Sequence, residues 1–147
     1  MHIEKLNKSN FTSSRNTRNV STISFNKKGV VRLSRNAVRQ LRLYDTGKKK
    51  FFAVSVFIDK DDHMASDFFI MRDDSSEGWC LRKAYGGGAV FNSCELSRYV
   101  IRKTWERTRH VVGDEDVPDK MIFRIASLPV DDEENKNVYA LLRKKDV

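Results

Sequence analysis

Three arginines, Arg35, Arg39 and Arg42, follow one another at intervals of four and three residues, and Arg32 precedes them. On an α-helix this spacing places all three guanidinium groups on one face. Like charges on one face repel one another by a few tenths of a kcal/mol per pair, and bound phosphate groups relieve that repulsion. Residues 5–44 contain no acidic residue that could neutralise the cations. The stripe therefore predicts phosphate binding, and the alternative is a solvated helix face.

Further basic residues occur in two loops and in a second helical segment. The candidate nucleic-acid-binding residues outside the arginine stripe are Lys27, Lys28, Lys48, Lys49, Lys50, Arg98 and Arg102. Loop lysines add affinity for phosphates without reading base sequence, and they serve equally well to protect sheet edges. Because the second helical segment also contains Glu95 and Glu106, we interpret it as a packed structural helix with a partly basic face.

Aromatic residues indicate a second kind of chemistry, the stacking of bases. In the strand pattern of residues 50–58, Phe51 and Phe57 fall on one face, while Val54 and Val56 fall on the other. If the first face is open, the two phenylalanines stack on unpaired bases, at about 1–3 kcal/mol per base. Aromatic side chains are more often part of a core, so a strand covered on both faces is the alternative that we prefer.

The residues that commonly serve catalysis or cofactor binding do not form a recognisable pattern. His2, His63 and His110 lack metal-ligand spacing with one another and with Cys80 and Cys94. The glycine triplet is not followed by the lysine and hydroxyl residue of a phosphate loop. We therefore expect no enzymatic activity, no cofactor and no metal site.

Composition narrows the class of partner. The 147 residues carry a formal net charge of +8, and the first 60 hold 14 Lys and Arg against 3 Asp and Glu. Such a balance favours a polyanionic partner, which is DNA, RNA or an anionic membrane surface. No stretch is long enough to span a membrane, and two cysteines are too few for a disulfide framework. We expect a cytoplasmic protein that binds nucleic acid, with DNA as the expected form, and does not bind a membrane.

Two regions differ in composition. Residues 1–19 are polar and basic, which predicts a flexible basic arm, and residues 20–147 are expected to form one domain. Strand patterns occur near residues 23–25, 30–33, 50–58, 68–71, 79–82, 89–92, 120–126 and 138–142. Helical patterns occur at residues 36–43 and 95–107, after Ser34 and Ser93, which we predict as N-caps.

The domain contains the same order of elements twice, in residues 20–72 and in residues 79–144. One constant offset along the chain, which we call the repeat offset, matches Gly29 with Gly88, Val31 with Val90, Ser34 with Ser93, Arg39 with Arg98, and Leu41 with Val100. One ββαββ unit buries too little apolar surface to be stable alone. The predicted fold is therefore α+β, an internally duplicated ββαββ unit that forms a β-barrel or interlocked twisted sheet with two helices.

The run from Gly29 to Leu43, followed by Asp45-Thr46-Gly47 and a strand, resembles the AbrB/MraZ-like swapped-hairpin DNA-binding proteins. The sequence departs from that pattern at Ser34, where the family usually has proline, and it lacks the glycine expected just after Leu41. In that family two units, often from two chains, interleave into one barrel that grips DNA. The resemblance implies a DNA-binding barrel completed by the duplication, with a homodimer left open.

A second resemblance concerns residues 50–109, whose order is β-β-β-β-α. This order resembles the single-strand-binding units of the Whirly, PUR and positive-cofactor coactivator proteins, and residues 88–96 are similar to their strand-to-helix junction. The chain also looks like small proteins of gut-bacterial phages and mobile elements. Both family resemblances imply nucleic acid, but they disagree on single or double strands.

These observations lead to two hypotheses about function. The first is a DNA-binding protein that acts as a transcriptional regulator or as a replication or nucleoid accessory factor, using electrostatic contacts to the backbone. The alternative is a structural or interaction protein, encoded by a phage or mobile element, that docks on an acidic protein partner. Charge alone does not separate them, because both partners attract the same basic surface.

Overall fold

The computed structural model describes residues 20–59, 68–108, 117–130 and 137–143, without the side chains of Arg107 and Thr108. The predicted arm, residues 1–19, lies outside this part of the chain. The fold is mixed α+β, mostly strands with two helices. The strands are β1 (Thr22–Asn26), β2 (Val30–Leu33), β3 (Tyr44–Asp45), β4 (Lys50–Phe51), β5 (Ala53–Ile58), β6 (Phe68–Asp73), β7 (Arg82–Lys83), β8 (Ala89–Asn92), β9 (Lys120–Ile125) and β10 (Tyr139–Arg143). The helices are α1 (Arg35–Gln40) and α2 (Cys94–Thr108).

Eight of these strands form one antiparallel sheet that curls into a half-barrel. Their order is β5-β6-β10-β9-β1-β2-β8-β7, and β3 pairs with β4 in a separate hairpin. An isolated bridge joins Val54 in β5 to Trp79, just before β7, so the two ends of the strand order meet at one point. The two residues exchange backbone hydrogen bonds of 2.8 and 3.1 Å. The half-barrel thus curls around a shared interior.

The inner face of the sheet and both helices enclose one hydrophobic core. Ile23 and Phe25 in β1 and Leu33 in β2 have no exposed surface, as the alternation of side chains along each strand requires. Helix α1 contributes Val38 and helix α2 contributes Val100 to the same cluster. Burial of each large apolar side chain stabilises the fold by about 1.5–3 kcal/mol. This core fixes the two helices on the sheet.

Both predicted N-caps are confirmed. The Ser34 Oγ accepts a hydrogen bond of 3.2 Å from the backbone N–H of Ala37, and the Ser93 Oγ accepts one of 3.2 Å from that of Leu96. The Ser34 Oγ also accepts a bond from the N–H of Thr22, so the cap ties α1 to β1. Each cap satisfies an N–H that the first helical turn leaves without a partner.

Helix α1 ends earlier than predicted, and Arg42 lies beyond its end. Leu41 is the C-cap, and Arg42 adopts a left-handed conformation with φ 53°. The N–H of Leu43 donates to the carbonyl of Val38 at 2.9 Å, and the N–H of Arg42 donates to that of Arg39 at 3.2 Å. These bonds form a Schellman motif, which ends a helix by a left-handed residue that is usually glycine. Glycine usually marks this kind of helix end, and because Arg42 follows Leu41 instead, no residue pattern indicated it.

Two predicted strands are corrected. The strand predicted at residues 50–58 is interrupted at Phe52, whose N–H donates to the carbonyl of Leu43 at 2.7 Å. Its first part becomes β4 and pairs with β3, a strand that was not predicted. Of the strand predicted at residues 79–82, only Arg82 belongs to β7. Because the strand is interrupted at Phe52, the residues of β4 pair within the β3–β4 hairpin and not within the curled sheet.

The repeat offset does not preserve the sheet face. In the β2–β8 pair, Val31 lies opposite Phe91, and Arg32 lies opposite Val90. Directly opposed side chains project from the same face of a sheet. Val31 is therefore on the buried inner face with Phe91, while Val90 shares the outer face with the exposed Arg32. In both halves two strands precede a helix, but four strands follow α1 whereas two described strands follow α2, so the duplication itself stays a prediction.

We expect Gly88→Ala to destabilise the fold by about 1–3 kcal/mol, because an added Cβ would collide with the backbone carbonyl oxygen of Leu33. Gly47→Ala is the matched control, because its Cβ would meet only the Asp45 carboxylate at 3.4 Å. Thermal unfolding measures both variants. Equal melting temperatures for the two variants would show that the close approach of β8 to β2 is not required.

Candidate nucleic-acid interface

A groove of about 570 Å³ lies where α1, the β3–β4 hairpin and the β7–β8 turn meet. Its charged lining residues are Arg35, Arg39, Lys49 and Lys83. Its uncharged lining residues are Val38, Tyr44, Phe51, Gly87 and Gly88. None of the described residues that line it is acidic. We call this site the basic groove.

Helix α1 supplies the two arginines of the basic groove. Its buried side, which includes Val38, packs on the core, and this leaves Arg35 and Arg39 exposed one turn apart. The Gln40 side-chain amide donates a hydrogen bond of 2.7 Å to the carbonyl of Ala126 just after β9, which anchors the end of the helix. The helix is thus held at both ends while its two arginines remain exposed.

The β7–β8 turn lies against the stem of Arg35. A Cβ atom on Gly87 would lie 3.1 Å from the Arg35 Cδ and 3.4 Å from its Cγ. Gly87 also has φ +91°, a conformation that side chains other than glycine rarely adopt. The glycine therefore leaves room for the arginine stem, and the same turn contributes Lys83 to the groove.

The β3–β4 hairpin supplies an aromatic pair and the third cation. Tyr44 lies opposite Phe51 in the hairpin, and their rings meet edge to face with centroids 5.0 Å apart. Tyr44 is 43% exposed, whereas Phe51 is half-buried and packs against the core. The Asp45 carboxylate accepts hydrogen bonds from two backbone N–H groups of the turn, which leads to Lys49. The hairpin therefore holds an aromatic surface beside the cations.

The composition of the basic groove determines what it can bind. Guanidinium groups donate paired hydrogen bonds to phosphate oxygens, and lysine ammonium groups act as point charges toward them. Tyrosine and phenylalanine rings offer flat apolar faces. In the described part of the chain, the lining combines four cations with an aromatic pair and no acidic residue, which suits an anion that also carries a flat ring.

Three predicted residues form a separate group at the β1–β2 turn. The Arg98 Nε donates a hydrogen bond of 3.3 Å to the carbonyl of Lys27, and the Cys94 thiol donates one of 3.2 Å to that of Lys28. The Lys27 ammonium lies 4.0 Å from the carboxylate of Asp119. These contacts join α2 to the turn, so Arg98 has a structural role that the sequence did not indicate.

Arg32 and Arg42 also lie away from the basic groove. Arg32 is exposed on the outer face of the sheet, between Ser24 and Val90 in the neighbouring strands. The carbonyl of Arg42 accepts a hydrogen bond of 3.2 Å from the Arg72 guanidinium, and both residues line a second cavity of about 430 Å³. The predicted stripe of three arginines is therefore wrong at Arg42, because the helix ends before it.

The remaining predicted residues are distributed as follows. Lys48 and Lys50 are exposed in the β3–β4 hairpin without lining the groove, and Arg102 is exposed on α2. Phe57 is 43% exposed on the outer face of β5, opposite Phe69. Phe51, in contrast, lines the groove. The two predicted stacking residues thus belong to different surfaces, because the interruption of the strand separates them.

Two lining residues were missed by the sequence analysis, Lys83 and Tyr44. Lys83 follows Arg82 and lies close to the glycine triplet, just as Lys27 and Lys28 adjoin Gly29, so a basic pair beside a glycine turn was an available signal. Tyr44 adjoins the turn after α1, but only the pairing of β3 with β4 reveals its partner ring.

Other chemistry-bearing groups in the described residues form no comparable site. Hydrogen bonds from the side chain of Ser55 and then from Ser75 lower the pKa of Asp73, which lies at the end of β6. Within the described ranges, no three His, Cys, Asp or Glu residues are placed to hold a metal ion together. Neither helix in this part of the chain has the length and apolar character needed to cross a membrane.

Comparison of the chain with protein-family models, with curated proteins and with solved structures gave no match. The two resemblances drawn from the sequence therefore stay predictions. Any inference about function depends on the geometry and chemistry of the basic groove.

The Schellman motif predicts that substitution by glycine changes stability in opposite directions at Arg39 and Arg42. Arg42→Gly should stabilise the protein by roughly 1 kcal/mol, because glycine adopts the left-handed conformation without a Cβ penalty. Arg39→Gly should destabilise it by about 1 kcal/mol, because glycine is a poor residue inside a helix. Chemical denaturation of both variants checks the prediction, and a loss of stability in Arg42→Gly would contradict the assigned helix end.

Proposed function

We propose that this protein binds nucleic acid, DNA in the first place, through the basic groove. The observation that carries the proposal is the convergence of cations from three separate segments on one groove. Arg35 and Arg39 come from α1, Lys49 comes from the β3–β4 hairpin, and Lys83 comes from β7. The first two segments are neighbours in the chain and β7 is distant from both, yet all three contribute positive charge to one place, and none of the described lining residues is acidic.

The energetics of such a site favour a polyanion. Like charges held together repel one another in the free protein, and a phosphate backbone replaces that repulsion with attraction. Binding also releases the counterions condensed on the nucleic acid, which makes the affinity fall with salt. Arg35 and Arg39 are suited to paired contacts with phosphate oxygens, and the two lysines add charge. Such contacts position a strand and read little of its sequence.

This mode of binding suits a transcriptional regulator or a replication or nucleoid accessory factor in the cytoplasm. It involves no cofactor and no catalytic step. Internal duplication would account for the repeated order of a glycine turn, a strand and a capping serine. The contacts of the two turn glycines correspond only in part, because Gly29 approaches Cys94, whereas Gly88 lies closest to the backbone of Leu33.

The alternative function is docking on an acidic protein partner. One observation favours it, the presence of large apolar side chains on the outer face of the sheet. Phe57, Ile122 and Leu142 are each between 43% and 45% exposed, and Arg32 and Arg124 share that face. Apolar residues with a charged surround are typical of protein contacts. This surface is distinct from the basic groove, so variants can separate the two functions.

The test is the double substitution of Arg35 and Arg39 by glutamine, with Arg124→Gln on the outer sheet face as the control for lost charge. Glutamine is as good a helix former as arginine, so the double variant should melt like the parent. Arg124 is exposed on strand β9, so its substitution should change stability little as well. The double variant should lose roughly thirtyfold in DNA affinity, at about 1 kcal/mol for each of two contacts. Its slope of log affinity against log salt should fall by roughly 2, while Arg124→Gln changes neither.

Fluorescence anisotropy with labelled DNA across a salt series gives both quantities. A poly-glutamate chain serves as the acidic protein probe in parallel titrations. If the double variant binds DNA like the parent with an unchanged salt slope, the basic groove is not the DNA site. If the parent binds poly-glutamate but no DNA, the interaction function replaces the proposed one.

A further inference from the structure

The basic groove contains more apolar surface than phosphate binding requires. Val38, Tyr44 and Phe51 line it among the four cations. Phosphate groups are held by charge and hydrogen bonds, so they leave such apolar surface in contact with water. Covering that surface with an apolar ring is favourable, in proportion to the area removed from water. The apolar lining therefore points to a second part of the ligand, beyond its phosphates.

Tyr44 is held in place for such a contact. Its ring meets the ring of Phe51 edge to face, with an angle of 62° between their planes. Phe51 is fixed in turn, because it packs against the core. The exposed part of Tyr44 is therefore presented without the entropy cost of ordering a mobile side chain. A flat ring stacked on Tyr44 gains contact area on a surface that already exists.

The dimensions of the groove fit a nucleobase rather than a duplex. Its volume of about 570 Å³ is within the range of roughly 300–1,000 Å³ found for small-molecule sites. Bases in a duplex are stacked on their neighbours and cannot enter such a site without being extruded. Tyr85, in the same β7–β8 turn, is fully exposed and offers a ring for a neighbouring base.

We propose that the basic groove binds single-stranded DNA by taking up one unpaired base, which stacks on Tyr44 while the four cations hold the flanking phosphates. This inference rests on the proposed function and specifies its substrate. Binding should therefore require three things together, namely negative charge, a base and the absence of a complementary strand.

Three probes of equal length separate these requirements. They are a labelled oligothymidine of about 16 nucleotides, the same strand in a duplex with oligodeoxyadenosine, and an abasic strand with the same phosphates but no bases. Anisotropy titrations of the whole protein at one salt concentration give the three affinities. The oligothymidine should bind at least about fivefold more tightly than either of the other probes, as expected for one stacked base.

Tyr44→Leu removes the aromatic ring and keeps an apolar side chain. It should weaken oligothymidine binding about fivefold or more and leave the affinity for the abasic strand unchanged. Tyr99→Leu is the matched control, because Tyr99 is 44% exposed and also meets a phenylalanine edge to face, but lies on α2 outside the groove. Tyr44→Phe should restore binding, since it keeps the ring. Melting temperatures show whether each variant is folded.

The outcomes distinguish this inference from the proposed function. Equal affinity of the parent for all three probes overturns the inference and leaves electrostatic binding intact, whatever the variants do. Unchanged oligothymidine binding by folded Tyr44→Leu also overturns it. Absence of binding to every probe overturns the proposed function itself. The comparison of probes needs no variant, so it decides the question even if Tyr44→Leu does not fold.

Discussion

The antiparallel pairing of β2 with β8 is the interaction on which the candidate site depends. Its register, with Leu33 opposite Ala89, places Gly88 against the backbone just before α1. A side chain at that glycine would separate the two strands. Through this pairing, Arg35 and Lys83, which lie in different halves of the chain, come to line one groove. The close approach of two backbones is therefore what joins the two halves of the site.

The rest of the fold holds the residues of the basic groove in place, although their positive charges repel one another. The capping serine of α1 binds the backbone of Thr22, and Gln40 binds the carbonyl after β9, so the short helix is fixed to two strands. The aromatic pair of the β3–β4 hairpin is fixed through Phe51, which packs on the core. Because the core supplies the stability, the exposed residues of the groove are left for binding. In the function proposed above, phosphate groups supply the compensating charge.

The sequence predicted the features that local patterns determine. Both capping serines, most of the strands and the exposure of Arg35 and Arg39 follow from periodicity and from the hydrogen-bonding needs of helix ends. Arg42 was misplaced because its left-handed conformation is one that glycine usually marks, and here a charged residue adopts it. Phe51 and Phe57 were placed on one strand face because the alternation of side chains continues through residues 50–58. Nothing in that alternation indicates that the strand is interrupted at Phe52.

Lys83 and Tyr44 were missed for a different reason. Their place in the groove depends on pairings between strands, and the sequence gives no register for such long-range contacts. The repeat offset matched the turn glycines and the caps but misjudged the strand face, since a shift by one residue exchanges the two faces of a strand. Val31 and Val90 lie on opposite faces of the sheet, yet both are buried. An apolar residue at each position therefore does not distinguish the two faces.

Photocrosslinking can locate bound nucleic acid, which we propose lies in the basic groove. A single strand carrying 5-iodouracil, irradiated in complex with the unmodified protein, forms adducts with nearby aromatic side chains that mass spectrometry of peptides can locate. We expect adducts on Tyr44, with Tyr85 as a second site, and none on Tyr99. Adducts confined to Tyr99 on α2 or to Phe57 on the outer face of β5 would contradict the proposal.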